Sequence, residues 1–181
     1  MHGHLIEVFA KLDASRAALR EAMAAIPVEA RRQRPTPDRW APVEIVEHLS
    51  LVERRFADIV GGKIREALGA GLGPETAPRQ PLPSTVSGML ADRAMRRDAP
   101  ELAKPSGTLD ETAAWAAADR ARADFRAVVT SGDGRALSRV IHAHPFFGAL
   151  NVYQWVELIA GHEMRHVQQV REAAQQLTAQ A

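Results

Sequence analysis

The sequence predicts an all-α protein, a four-helix bundle of up-down-down-up order with a long crossover between its second and third helices. Three observations predict it. Residues with a low helix cost, alanine and arginine above all, dominate the chain, and aromatic residues are only 5%. Apolar residues recur at three- and four-residue steps in four long stretches. Residues 70–107, rich in proline and glycine, separate the second stretch from the third. A connection that long can run the full height of a bundle, roughly 37 Å for a 25-residue helix, so the helices on either side of it can point the same way. No β-branched residues alternate with polar ones, and no strand is expected.

The first helix is expected from His4 to Ile26, with Leu5, Val8, Phe9, Leu12, Leu19, Met23 and Ile26 along one face. Pro27 stops it, because proline cannot continue the backbone ladder. The arginine-rich stretch 31–37 reads as a solvated loop. The second helix is expected from Pro42 to Leu68. Pro42 suits the first helical position, Ile45, His48, Leu49, Val52, Phe56, Ile59 and Ile64 form its stripe, and Gly69, Gly71 and Gly73 end it. A short helix is expected from Ser84 to Arg97 within the connection. The third long helix should start at Thr108, which has capping-box spacing to Glu111, and end at Ser131-Gly132-Asp133-Gly134. The fourth should start near Asn151, with Gln154 at the same spacing, and carry Val152, Trp155, Ile159, His162, His166, Val170 and Ala173 inward.

The length of 181 residues corresponds to about one domain, expected to span 1–181. The absence of cysteine excludes disulfide frameworks, zinc fingers, iron–sulfur centres and thiol nucleophiles, so any metal must be held by His, Asp or Glu. With 23 basic and 22 acidic residues the net charge is +1, which gives no case for nucleic acid or an anionic membrane. No apolar run approaches the roughly 20 residues of a membrane span. The first ten residues lack the basic and apolar regions of a signal peptide. The expected compartment is the cytoplasm.

The strongest chemical feature is Gly161-His162-Glu163-Met164-Arg165-His166. Residues four apart on a helix project from one face about 6 Å apart at Cβ, so His162 and His166 can share one metal. A pair at this spacing is weak alone. His48 strengthens it, being the only histidine of the second helix and facing inward between Ile45 and Val52. Three neutral imidazoles suit zinc, nickel, iron or copper and leave positions open for water or substrate. The catalytic group would then be the metal-bound water. The segment also fits the H-E-x-x-H pattern of zinc peptidases, but Glu172 stands where the extended form has its third His and Gln169 where it has glycine. Glu163 lies about 100° around the helix from His162; it is read as a solvent-facing residue, with an acid/base role near the metal as the sharper alternative.

Taken together these motifs resemble the DinB-like family of metalloenzymes. They are Trp40-Ala41-Pro42 ahead of a helix bearing His48, then His144-Pro145-Phe146-Phe147-Gly148, then Trp155, then His162, His166 and Gln169. Each motif is short; their order and spacing across essentially the whole chain are specific. The resemblance implies an up-down-down-up bundle, commonly a homodimer, with nickel or zinc on His48, His162 and His166. Some relatives are thiol transferases that use bacillithiol, mycothiol or glutathione, and others carry hydrolase labels. It therefore implies a small-molecule substrate and, for a transferase, a low-molecular-weight thiol cosubstrate. A non-catalytic metal-binding stress or scaffold bundle is the alternative.

The family pattern includes His144, which makes it a further candidate for the site wall; His142 is a weaker one. His2 and His4 read as solvated residues. Trp40, Trp115 and Trp155 read as core packing. Arg16 reads as a snorkelling surface residue rather than a holder of anionic substrate.

Overall fold

The computed structural model describes residues 1–94 and 98–179. Its order is α1 (Gly3–Ala24), α2 (Pro42–Gly69), α3 (Ser84–Ala91), α4 (Glu111–Thr130), a two-stranded hairpin β1 (Ile141–His144) and β2 (Gly148–Asn151), and α5 (Val152–Thr178). No helix among the described residues is long and apolar enough to cross a membrane.

The four long helices are the ones the apolar periodicity predicts, within a few residues at each end. α1 stops three residues short of Pro27, and Pro42 opens α2. There Glu44 reaches back to accept from the Ala41 backbone N–H at 2.7 Å, satisfying an orphan donor of the first turn. At the other end of α2, Gly71 adopts φ +81° while its N–H donates to the Leu68 carbonyl, the left-handed helix stop that glycine permits. Asn151 and Gln154 cap each other's backbone N–H at 3.0 Å, as their spacing predicts.

Three expectations are corrected. α4 begins at Glu111, with Asp110 as its cap accepting from the Ala113 N–H at 2.7 Å; the Thr108 N–H instead donates to the Ser106 hydroxyl at 3.1 Å in a turn outside the helix. The segment 141–151 is an antiparallel hairpin, although no strand is expected, in register Ile141↔Asn151 to His144↔Gly148. The short helix ends at Ala91 rather than Arg97, and residues 95–97 lie outside those described.

Named contacts fix the helix directions. Along α1, His4, Lys11 and Arg16 meet Tyr153, Glu157 and Glu163 of α5 in the same order, so the two run parallel. Along α2, Glu53 and Gly61 meet Arg122 and Val128 of α4, another parallel pair. Phe56 lies against Trp155 and His48 against His162, so α2 and α5 are antiparallel. The order is up-down-down-up. The crossover returns along α1 and α5, where Arg79 bridges Glu7 and Glu157 and the Leu82 N–H donates to Glu157. It ends over the start of α2, where Glu47 accepts from the Ser106 N–H.

Two apolar clusters fill the bundle. One holds Leu5 to Leu12, Ala57 to Ile64, Phe125, Val129, Tyr153 and Trp155. The other holds Leu19 to Ile26, Val43 to Leu49, Ala114, Ala118, Val167 and Val170. The α2 stripe is shifted from the expected one: Glu53, Ala57 and Val60 are buried, while Val52 and Ile59 are only half-buried. Trp155 is core, as expected, whereas Trp40 and Trp115 are half-buried, the latter beneath the Arg20 guanidinium at 4.2 Å.

Candidate metal centre

α2 and α5 bring His48, His162 and His166 together. One nitrogen from each lies within 4.8 Å of the others. The His162 and His166 Nε2 atoms are 3.2 Å apart. Two ligands of a tetrahedral metal with bonds of about 2.1 Å stand about 3.4 Å apart, so the pair is already at ligand spacing. The His48 ring centroid is 5.4 Å from that of His162 and 4.8 Å from that of His166.

Two of the rings are oriented from behind. His48 Nδ1 lies 2.7 Å from the Ala103 carbonyl oxygen, which can only accept. Nδ1 therefore carries the proton and Nε2 presents a lone pair. His166 Nδ1 is held in the same way at 2.9 Å by the Gln169 side-chain oxygen. Such partners fix tautomer and ring direction in metal-binding histidines. Ala103 sits in the single turn Glu101–Ala103 of the crossover, so the connection supplies part of the site. Trp40 packs on the outer face of His48, its ring centroid 4.8 Å away.

Burial also keeps the rings neutral. His162 is pushed down to about 3, chiefly by burial and then by the charges of His48, Arg165 and His144. Burial likewise lowers His166 well below the usual range, with His162 and His48 adding to it. Burial lowers His48, and its bond to Ala103 only partly opposes this. His166 Nε2, whose Nδ1 holds the proton, accepts from His162 Nε2 in the metal-free cluster; loss of that one proton would leave the neutral imidazole donors a divalent transition metal requires. His162 is half-buried while His48 and His166 are buried, so the cluster reaches solvent on the His162 side.

The other candidates lie elsewhere. His144 is on β1, stacked on Phe147 at 4.6 Å and 5.3 Å from Trp155, with Nδ1 accepting from the Phe146 N–H. It is not part of the triad, though its charge is felt at His162. His142 tilts over Trp155 at 5.9 Å. His2 and His4 are half-buried rather than solvated: His2 caps α1, and His4 packs edge-on against Tyr153 at 5.3 Å.

The largest departure from expectation is Glu163. It is 1% exposed, and its carboxylate accepts from Ser15, Arg16 and Arg122. The one-step rotation from His162 turns it into the interface with α1 and α4, not into solvent. Arg16 is buried for the same reason, bound to Glu163, Glu53 and Asp119. Glu53 and Arg122 complete a group that sequence reading missed, two cations and two anions at the level between the two apolar clusters. Burial pushes the Glu53 carboxyl up, against the pull of Arg122. Burial would lower the Arg122 guanidinium, but Glu53 and Glu163 outweigh it and raise it.

Among the described residues, surface grooves flank the bundle. One of about 880 Å³ lies between α1, α3 and α5, and one of about 440 Å³ between α2 and α4. None of the three histidines lines either.

Comparison with known proteins bears on the family and the fold. The model of the DinB superfamily matches residues 11–170. The uncharacterized protein YuaE of Bacillus subtilis (strain 168) is 23% identical over 146 residues, 80% of this chain and 83% of that protein. The crystal structure of TT2238, a four-helix bundle protein, is similar with a TM-score of 0.61 at 24% identity, covering 93% of this chain and 98% of that one.

Proposed function

Because the chain belongs to the DinB superfamily, and because its three inward histidines converge, we propose that it is a metal-dependent enzyme. In this reading His48, His162 and His166 hold one divalent transition metal (zinc, nickel or iron) within a single helical domain. The observation that carries it is the hydrogen bond behind His48 and behind His166, which turns each Nε2 lone pair toward the other rings. Backbone and side-chain acceptors behind the ring are the usual support of metal-binding histidines. When bound, such a metal lowers the pKa of a coordinated water or thiol and polarises an electrophile.

The protein's own residues then divide the work. Ala103 and Gln169 hold ring direction, Trp40 covers His48, and half-buried His162 marks the side by which a small molecule enters. Hydrolase and thiol S-transferase chemistry both fit three protein ligands with open positions; a transferase would add a low-molecular-weight thiol cosubstrate. The protein acts on a small molecule rather than on nucleic acid, as a homodimer, in the cytoplasm. The alternative reading is a metal-binding bundle without turnover, held by the same three histidines.

Elemental analysis tests the site. Protein purified without tag, chelator or added metal is compared with the His48→Ala/His162→Ala/His166→Ala variant. A near-stoichiometric transition metal that the variant lacks is expected. No metal in the wild type even after supplementation, or equal metal in the variant, overturns the assignment. Turnover of the loaded protein in hydrolase and thiol-transfer screens separates the enzyme from the inert bundle.

A further inference from the structure

The buried charges form a closed square across four helices. Arg16 of α1 donates from Nε to Glu163 at 2.7 Å and from Nη2 to Glu53 at 3.2 Å. Arg122 of α4 donates from Nε to Glu53 and from Nη2 to Glu163 at 2.9 Å. Each arginine therefore grips one carboxylate on α2 and one on α5. Its remaining donor is spent elsewhere: Arg16 Nη1 on Asp119, and Arg122 Nη1 on the Leu12 carbonyl. Ser15 adds a hydroxyl bond to Glu163.

Those two carboxylates sit on the same two helices as the candidate ligands. Glu163 directly follows His162, and Glu53 lies five residues after His48. α2 packs mainly on α4 and α5 mainly on α1, and the two pairs meet chiefly where α2 touches α5, through a smaller contact that includes Phe56 on Trp155 and His48 on His162 and His166. The spacing between the histidine-bearing helices thus rests on that smaller contact and on the two arginines that bridge it. Apolar side chains alone would let α2 and α5 slide and rotate, whereas a guanidinium fork fixes both distance and direction. Buried ion networks of this kind are often no more stable than an apolar replacement, so stability does not explain the square.

We propose that Arg16 and Arg122 are positioning residues that set the spacing and rotation of the two histidine-bearing helices, and so the geometry of the three-histidine site. The metal part of this proposal rests on the three-histidine reading. The leverage is large. Rotating α5 by about 10° moves an atom at the helix's outer radius of about 5–6 Å by about 1 Å. Metal bonds tolerate about 0.2 Å.

The chain has no cysteine, so introduced cysteines carry the only labels. Spin labels at Arg55→Cys on α2 and Arg171→Cys on α5, both exposed positions, report the helix spacing by pulsed electron resonance without metal. Cobalt(II) titration reports the site by affinity and visible absorption. Arg122→Lys keeps the charge but cannot bridge both carboxylates. It should broaden the distance distribution, lower cobalt affinity at least tenfold, as loss of an outer partner does, and shift the cobalt absorption, with helical circular dichroism retained. If Arg122→Lys does not fold, the charge-balanced Arg122→Met/Glu163→Gln variant replaces it and carries the same expectation. An unchanged distance distribution with an unchanged cobalt spectrum overturns the proposal. A wild type that takes up no cobalt overturns the three-histidine reading instead, and the distance measurement still decides the role of the arginines.

Discussion

Lowering the pH from 7.5 to 5 should destabilise the metal-free protein through its histidine cluster. An unfolded histidine titrates near 6.5, whereas burial holds His162 down to about 3 in the folded chain. For a basic group lowered by folding, the unfolded state binds more protons below about 6.5. Stability is therefore complete above that pH and is lost as pH falls toward the folded value. Over this window His162 alone costs about 2 kcal/mol by linkage. His48 and His166 are lowered in the same direction and add to the loss. Glu53, raised by burial, opposes it. Glu75, Asp133 and Glu172 are lowered carboxyls whose contribution fades only below their unfolded values near 4, outside the window. With a urea slope of about 2 kcal/mol/M, the midpoint should drop by about 1 M or more. Urea unfolding of chelator-treated protein at the two pH values measures it, and His162→Gln should remove the His162 share. Equal midpoints in the wild type would refute the claim that these rings are held neutral by burial.

Gln169→Leu removes the acceptor behind His166 Nδ1 while keeping the helix; metal affinity should fall about tenfold or more by competition titration, and full affinity would show that the ring needs no support. Phe125→Ala empties a fully buried site in the larger apolar cluster. A loss of about 3–5 kcal/mol is expected in urea unfolding at pH 7.5, and less than about 1 kcal/mol would mean that the site collapses or is not core. Gly107 has φ +72°, and a Cβ there would stand 2.9 Å from Glu44 Oε1. Gly107→Ala should cost roughly 1–2 kcal/mol by the same assay, with no loss if the turn relaxes.

The parts of the molecule governed by local pattern were legible from the chain. Helix periodicity, Pro27 and Pro42, and the Asn151–Gln154 pair depend on neighbours within a few residues, and the four long helices follow. His48, His162 and His166 were legible because each lies on an apolar stripe where a histidine needs a reason. The charge square was not. Glu163 and Arg16 look like ordinary surface residues until four helices are packed, since each finds its partners on other elements. A signal did exist: Ser15 and Arg16 continue the stripe of Leu12 and Leu19, and Glu53 continues that of Leu49 and Phe56. Opposite charges at inward positions of different helices could have been paired. The hairpin was missed because β1 is only four residues, Ile-His-Ala-His, with neither β-branched alternation nor a two-residue turn signal. Asp110 was overlooked because Thr108 and Glu111 offered a competing cap; long-range bonds from Glu47 to Ser106 and Gly107 place the turn.

The turn that presents the Ala103 carbonyl to His48 has a consequence for synthesis. His48 leaves the ribosome roughly 120 residues ahead of His166, about 6–24 s at ordinary elongation rates. During that interval Ala103 is made but α5, on which α1 mainly packs and to which the crossover is tied through Glu157, is not. Until α5 emerges, His48 is a lone imidazole, which holds metals weakly. The three histidines therefore come together only once α5 has docked.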